Sequence, residues 1–93
     1  MKDKRKGTQA EHRAIRLLEA AENHCTLAGG SLGLFDVVAV RLRDVRLIQV
    51  KSGWAYLSSV EREPMSGLRV PANVSRESWR FPDRCRTPFV EVL

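Results

Sequence analysis

Apolar residues in this chain recur first with a helical period and then in short runs of strand length. From Thr8 to about Asn23, Ala10, Ala14, Leu17, Leu18 and Ala21 fall at i, i+4, i+7, i+8 and i+11, one buried helix face. Thr8 is placed to cap that helix, with Glu11 three residues on as its capping-box partner. His24 to Ala28 reads as a short first strand. Gly29-Gly30-Ser31-Leu32-Gly33 reads as a loop, because three glycines in five residues interrupt either regular structure. Phe35–Leu42 and Val45–Lys51 are the clearest strands, rich in Val, Ile and Leu, and the Arg43-Asp44 connection predicts an antiparallel hairpin. Apolar residues on both faces imply that both sides of this hairpin are covered.

Farther along, Leu57–Leu68 predicts a short helix limited by Pro64 and Gly67. A turn is expected at Pro71 and Asn73. Val74–Phe81 should be a strand with Trp79 and Phe81 on one face. Pro82-Asp83 then starts a turn, and Phe89–Leu93 supplies a final strand. This order predicts an α/β or α+β sandwich around a mixed sheet.

Ninety-three residues make one domain, here expected as residues 1–93 with 1–7 as a mobile basic arm. So small a core is marginal, which makes a homodimer the expected assembly. No apolar run approaches the roughly 20 residues of a membrane helix, and no apolar segment follows the basic start to make a secretory signal. A cytoplasmic protein is expected, with Cys25 and Cys85 as free thiols. His12 and His24 have no partner His or Cys at ligand spacing, which argues against zinc. A formal charge of +5 favours polyanionic partners, DNA among them.

The candidate chemistry lies on the hairpin. A two-residue Arg43-Asp44 turn sets Val38 opposite Gln49 and Asp36 opposite Lys51. Alternation then projects Asp36, Val38, Gln49 and Lys51 to one side. A four-residue loop keeps that facing; a three-residue loop scatters it. Asp36 and the Gln49 side-chain carbonyl are hard oxygen donors suited to Mg²⁺ or Mn²⁺, with the Val50 backbone carbonyl as a third. Lys51 is then placed to orient an attacking water and to offset negative charge in a phosphoryl transition state. An Asp within an apolar strand is disfavoured unless something compensates it. A buried Asp36–Lys51 ion pair is the structural alternative.

Asp36 followed by Gln49-Val50-Lys51 on adjacent strands resembles the PD-(D/E)xK nuclease core, in a variant with Gln at the acidic position, as in VRR-type nucleases. Lys6-Gly7-Thr8-Gln9-Ala10-Glu11-His12-Arg13 is similar to the first helix of archaeal-type Holliday junction resolvases, which carries a metal-site Glu. Gly30-Ser31 sits where those enzymes place a serine near the substrate phosphate. Leu34–Ala39 and Leu47–Ser52 are similar to their two core strands. The resemblance covers roughly residues 6–53.

It implies a restriction-endonuclease-like α/β fold, a mixed central sheet flanked by helices. It also implies a metal-dependent, structure-selective DNA endonuclease acting as a homodimer in recombination and repair. Asp36, Gln49, Lys51, Glu11 and Ser31 would be catalytic, and Asp36, Gln49, Val50 and Glu11 would hold the cation. Lys4, Arg5, Lys6, Ser31, Ser52 and Trp54 would contact DNA. Trp54 and Tyr56, after the Lys51 strand, could stack on a splayed base. Glu11 as a cap, Ser31 as a turn residue, and Trp54 and Tyr56 as core or dimer packing residues are the structural alternatives. Gln49 removes one charge from the site, so a nuclease-like DNA-binding protein without activity is the alternative function.

Overall fold

The computed structural model describes residues 2–28, 34–53 and 55–93, with side chains from residue 9 onward. Two helices and five strands follow in the order α1 (Lys2–Ala20), β1 (His24–Leu27), β2 (Val37–Val40), β3 (Val45–Ser52), α2 (Ser59–Gly67), β4 (Val74–Phe81) and β5 (Phe89–Val92). The strands form a single sheet in chain order. All neighbours are antiparallel except β3 and β4, which run parallel. That parallel pair needs a crossover, and residues 53–73 with α2 supply it. No helix among the described residues is long and apolar enough to cross a membrane.

Helix α1 begins at Lys2, so residues 2–7 are a helical extension and not a separate arm. Lys and Arg are good helix formers, and the 2–7 stretch needs no apolar face to continue a helix already packed downstream. The expected Thr8 cap therefore does not exist, and Glu11 lies well inside the helix. The helix stops where Glu22 enters the left-handed region (φ 67°). There the backbone N–H and the Nδ2 of Asn23 both donate to the Leu18 carbonyl, each at 2.9 Å.

Ala10, Ala14 and Leu18 form the stripe of α1 that packs on Val37, Ala39, Ile48, Val50, Trp79 and Phe81. Leu17 (40% exposed) and the exposed Ala21, expected on that stripe, turn away from it. The contact is a narrow i, i+4, i+8 row, and a residue at i+7 sits at its margin. Trp79 and Phe81 do share this face, their ring centroids 6.4 Å apart. The opposite face is covered less completely: Val38 and Leu47 are half-buried, and Val40 is 41% exposed.

At the end of the sheet where β3 and β4 begin, a charged group is embedded beside the core. Glu77 is 4% exposed and accepts from Arg46 Nε (2.9 Å) and Nη2 (2.7 Å), Ser75 Oγ (2.6 Å) and Trp79 Nε1 (2.8 Å). Arg46 also lies over the Trp79 ring, 5.2 Å from its centroid. Burial opposes ionisation of Glu77, but Arg46, Ser75 and Trp79 together outweigh it and hold the carboxyl below its ordinary value.

The β2–β3 connection corrects the predicted hairpin. Val40 pairs with Val45 and Val38 with Leu47, so the loop holds four residues, Arg41 to Asp44. It is closed by Arg41 N–H to the Asp44 carbonyl (2.8 Å) and by a bidentate Arg41–Asp44 pair. Arg-Asp is a poor two-residue turn, because a type I′ turn needs positive φ at both positions. The register thus differs by two residues from the predicted one. A shift of two preserves which face each side chain occupies.

Candidate active site

Strand β2 starts at Val37, and Asp36 stands at its entry. The Asp36 N–H donates to the Ile48 carbonyl and its own carbonyl accepts from Ala28, both at 2.8 Å, which ties this residue between β1 and β3. Its side chain continues the edge that β2 leaves: Oδ2 accepts from the Val50 N–H at 2.8 Å. The β2–β3 ladder ends at Val37–Ile48, and Asp36 donates to that same Ile48, so it is not the cross-strand partner of Lys51. Val37 and Ile48 are fully buried under α1. Alternation along β3 therefore leaves Gln49 and Lys51 on the other face, while Asp36, in a bend outside the strand, reaches β3 through the Val50 N–H.

Lys51 has a different partner from the one expected. Its Nζ donates to Glu61 Oε2 at 2.6 Å. The other oxygen of Glu61 accepts from the N–H and the hydroxyl of Ser58, both at 3.1 Å, while the Glu61 N–H donates to Ser58 Oγ at 3.2 Å. This is a complete capping box at the start of α2. Its backbone cap fixes the carboxylate to which Lys51 is tethered. The lysine contact, ahead of the Ser58 backbone contact, holds the Glu61 carboxyl below its usual range.

Glu61 is the residue that sequence reasoning missed. The signal was Ser58-Ser59-Val60-Glu61, an S-x-x-E pattern just ahead of the predicted helix. Its proximity to Lys51 is a long-range contact that no local pattern reports.

Glu11 is half-buried on α1 and close enough to Asp36 for their charges to interact. Burial, and then the Asp36 charge, raise the Glu11 carboxyl above its ordinary value against a smaller opposing effect of His12. Asp36 is raised as well. Burial is the main cause, the Val50 N–H and Lys51 oppose it, and Glu61 adds to it. Two partly buried carboxylates that disfavour each other's charge are what a cation would relieve. Among the described residues no group of three or more His, Cys, Asp and Glu gathers at metal-holding distance. Gln49, the residue at the position where the resemblance would have an acid, is half-buried.

The remaining expected site residues divide. Ser31 and Trp54 lie outside the described residues, as do the side chains of Lys4, Arg5 and Lys6. Ser52 is half-buried at the end of β3, where alternation turns it to the α1 face, away from Lys51. Val50 donates its N–H to Asp36. Arg76 is tied to the carbonyls of Ser66, Leu68 and Leu93. Arg84 and Arg86 are exposed and join Arg13, Arg16, Leu17 and Cys85 around a groove of about 450 Å³ between α1 and the β4–β5 loop. Cys25 and Cys85 are free thiols.

No family model matches the sequence, and no curated protein does. A solved structure does match in fold: Hjc, a Holliday junction resolvase from the archaeal hyperthermophile Archaeoglobus fulgidus. The TM-score is 0.71 with 24% identity, over 85% of this chain and 66% of that one. The chain has a resolvase-like fold. It spans about two thirds of the length of that structure, and identity at this level speaks for the fold alone.

Within this resolvase-like α/β fold, a mixed sheet flanked by helices, the chemistry available is clear. Asp36 at the entry to β2 and Glu11 on α1 carry carboxylates, and Lys51 carries a cation at the end of β3. Such a set can hold a hard divalent ion and place a positive charge beside a phosphate.

Proposed function

We propose that this protein is a divalent-cation-dependent endonuclease that hydrolyses phosphodiester bonds in branched DNA, working as a homodimer. The observation that supports the reading is the Asp36 carboxylate tied to the Val50 N–H, between Gln49 and Lys51 in sequence on β3, in a resolvase-like fold. Glu11 nearby completes the acidic side of the site. Two copies about a two-fold axis would suit paired incisions on a symmetric junction.

The donor set fits Mg²⁺, with Mn²⁺ as a substitute. Mg²⁺ takes one or two carboxylates and keeps several waters, and Asp36 with Glu11 meets that demand while Gln49 and the Val50 carbonyl add neutral oxygen. When bound, the ion supplies Lewis-acid polarisation of the phosphate and makes water a better nucleophile. The protein's own groups do the rest. Asp36 is fixed by the Val50 N–H, so its free oxygen is oriented before substrate arrives. Lys51 is held by Glu61 and would move its charge toward the phosphate as the transition state gains negative charge.

This makes Glu61 a positioning residue. Glu61→Gln keeps an acceptor for the cap and removes the charge that holds Lys51. Cleavage should fall by about tenfold or more, while the melting temperature moves little, since a cap contributes only about 1 kcal/mol. Single-turnover rates beside melting curves check this. An unchanged rate would remove Glu61 from the mechanism.

The Arg13, Arg16, Arg84 and Arg86 groove is the proposed track for the DNA backbone. Each arginine that no longer neutralises a phosphate should lower the slope of log K against log salt by about 0.9 on duplex DNA. Arg13→Ala with Arg84→Ala should therefore weaken binding and flatten the slope by roughly two such steps in a salt titration. Weaker binding at an unchanged slope would place the DNA elsewhere.

The function itself is tested with a labelled four-way junction and its matched duplex in Mg²⁺ or Mn²⁺. Metal-dependent cutting of the junction supports the reading. Tight binding with no cutting in either metal would make this a catalytically silent DNA-binding protein, the alternative that Gln49 keeps open.

A further inference from the structure

Lys51, Arg80 and Phe89 lie in one row across the sheet. Lys51 is in register with Arg80, and Arg80 with Phe89. The row is on the α2 face, because Lys51 reaches Glu61 there. The Arg80 guanidinium is enclosed by two rings, 4.4 Å from the Tyr56 centroid and 4.9 Å from that of Phe89. Yet both rings stay largely open to solvent, each residue 62% exposed. A cleft of about 170 Å³ runs between them and the proposed catalytic lysine, lined by Lys51, Tyr56, Arg62, Arg80, Phe89 and Glu91.

The cleft is smaller than pockets that enclose a whole small-molecule ligand, which run to roughly 300–1,000 Å³. It suits a flat group that enters from outside and remains attached to something larger. Of its three cations, Lys51 is paired with Glu61 at 2.6 Å and Arg62 with Glu91 through two hydrogen bonds of 2.6 and 2.9 Å, so the surplus positive charge is that of Arg80. Two aromatic faces, a planar guanidinium and a surplus of positive charge are what an unstacked base on a phosphate backbone meets favourably.

We infer that Tyr56, Arg80 and Phe89 form a stacking platform for one unpaired nucleobase of the DNA strand whose phosphate lies at Lys51. This position for the phosphate rests on the nuclease reading above. Two strand spacings separate Lys51 from Phe89, about 10 Å, so the base belongs to a nucleotide close to the cut. A base inside continuous duplex has both faces covered by its neighbours and cannot use the platform. The platform therefore selects DNA that is already open beside the scissile bond: a branch point, a splayed arm or a single strand. It supplies a reason for substrate choice that the β2–β3 edge, which handles only the phosphate, does not contain.

The test needs no cleavage. Binding of a single-stranded oligonucleotide and of the matched duplex is measured in chelator by anisotropy, with 2-aminopurine fluorescence reporting stacking, for wild type, Tyr56→Ala, Phe89→Ala and Tyr56→Phe. Wild type should quench the unpaired fluorophore. Each alanine variant should lower the preference for single-stranded over duplex DNA by about tenfold, and Tyr56→Phe should retain it. An unchanged preference in both alanine variants overturns the platform, as does equal weakening on both DNAs. So does a wild-type dimer that Phe89→Ala converts to monomers with the preference intact, since the rings would then be a subunit interface. If Phe89→Ala does not fold, Tyr56→Ala, on the segment between β3 and α2, decides alone. Stacking with no cutting of any DNA removes the nuclease reading and leaves the platform; cutting without stacking removes only the platform.

Discussion

Asp36→Ala should reduce Mg²⁺-dependent DNA cleavage by two to three orders of magnitude, about what the loss of one preorganised electrostatic group costs. Lys51→Ala should do the same by removing the cation proposed to face the phosphate. Asp36→Asn is the more telling variant. An amide oxygen can still accept from the Val50 N–H, so the β2–β3 edge keeps its geometry while the site loses its charge. Burial already makes the ionised Asp36 unfavourable in the folded protein. Its carboxyl is raised, so folding stability falls as pH rises through the ordinary carboxylate range and on through the raised value. Asp36→Asn should consequently melt at or above wild type at neutral pH, with the difference vanishing in acid. Lost activity in a protein that is no less stable is the expected signature of a functional carboxylate.

Glu77→Ala should be the most destabilising single change in the chain. It leaves Arg46 partly buried without its carboxylate, and it strips Ser75 and Trp79 of their acceptor. Breaking one side of such a pair costs about 3–5 kcal/mol, a large part of the roughly 5–15 kcal/mol that a domain possesses. A loss of this size lowers the melting temperature of a small domain by more than about 12 °C. Glu77→Met with Arg46→Met should recover most of it, because an apolar pair leaves no uncompensated charge. The wild-type contribution is present above the ordinary carboxylate range and is lost as pH falls through the lowered Glu77 value. Acid melts of wild type and Glu77→Gln check the sign: the two curves should converge as the pH drops.

The elements built on strong patterns were legible in the sequence. The apolar runs of β3 and β4, the Trp79–Phe81 face and the short helix through Pro64 all formed within a residue or two of expectation. Register was not legible, because it depends on how Arg41 and Asp44 close the loop. A bidentate ion pair across four residues is no part of an apolar pattern. Even so, the side chains within β2 and β3 kept their expected faces, since those depend only on loop parity, whereas Asp36 lies in a bend before β2 that parity does not govern. The start of α1 was hidden for the opposite reason: Lys2 to Gly7 shows no amphipathic period, yet it extends a helix whose packing lies at Ala10, Ala14 and Leu18.

Capping chemistry was found in the wrong place. Thr8 and Glu11 fit the S/T-x-x-E pattern, but the helix was already running; Ser58 and Glu61 fit it equally and do form the box. With the capping role gone, Glu11 is left on α1 beside Asp36, where only its charge has consequences. Glu61 shows the converse. A residue explained in full by a local motif also holds the side chain proposed to meet the phosphate.

The central claim is that the Asp36 edge is a cation-dependent phosphodiesterase site. It is tested most directly by single-turnover cleavage of a labelled four-way junction by the wild-type protein, with Mg²⁺ titrated from excess chelator to millimolar excess. Cleavage that is absent in chelator, rises saturably with Mg²⁺ and is lost in Asp36→Asn is the result predicted. Cleavage unaffected by chelator, or retained in Asp36→Asn, would contradict it.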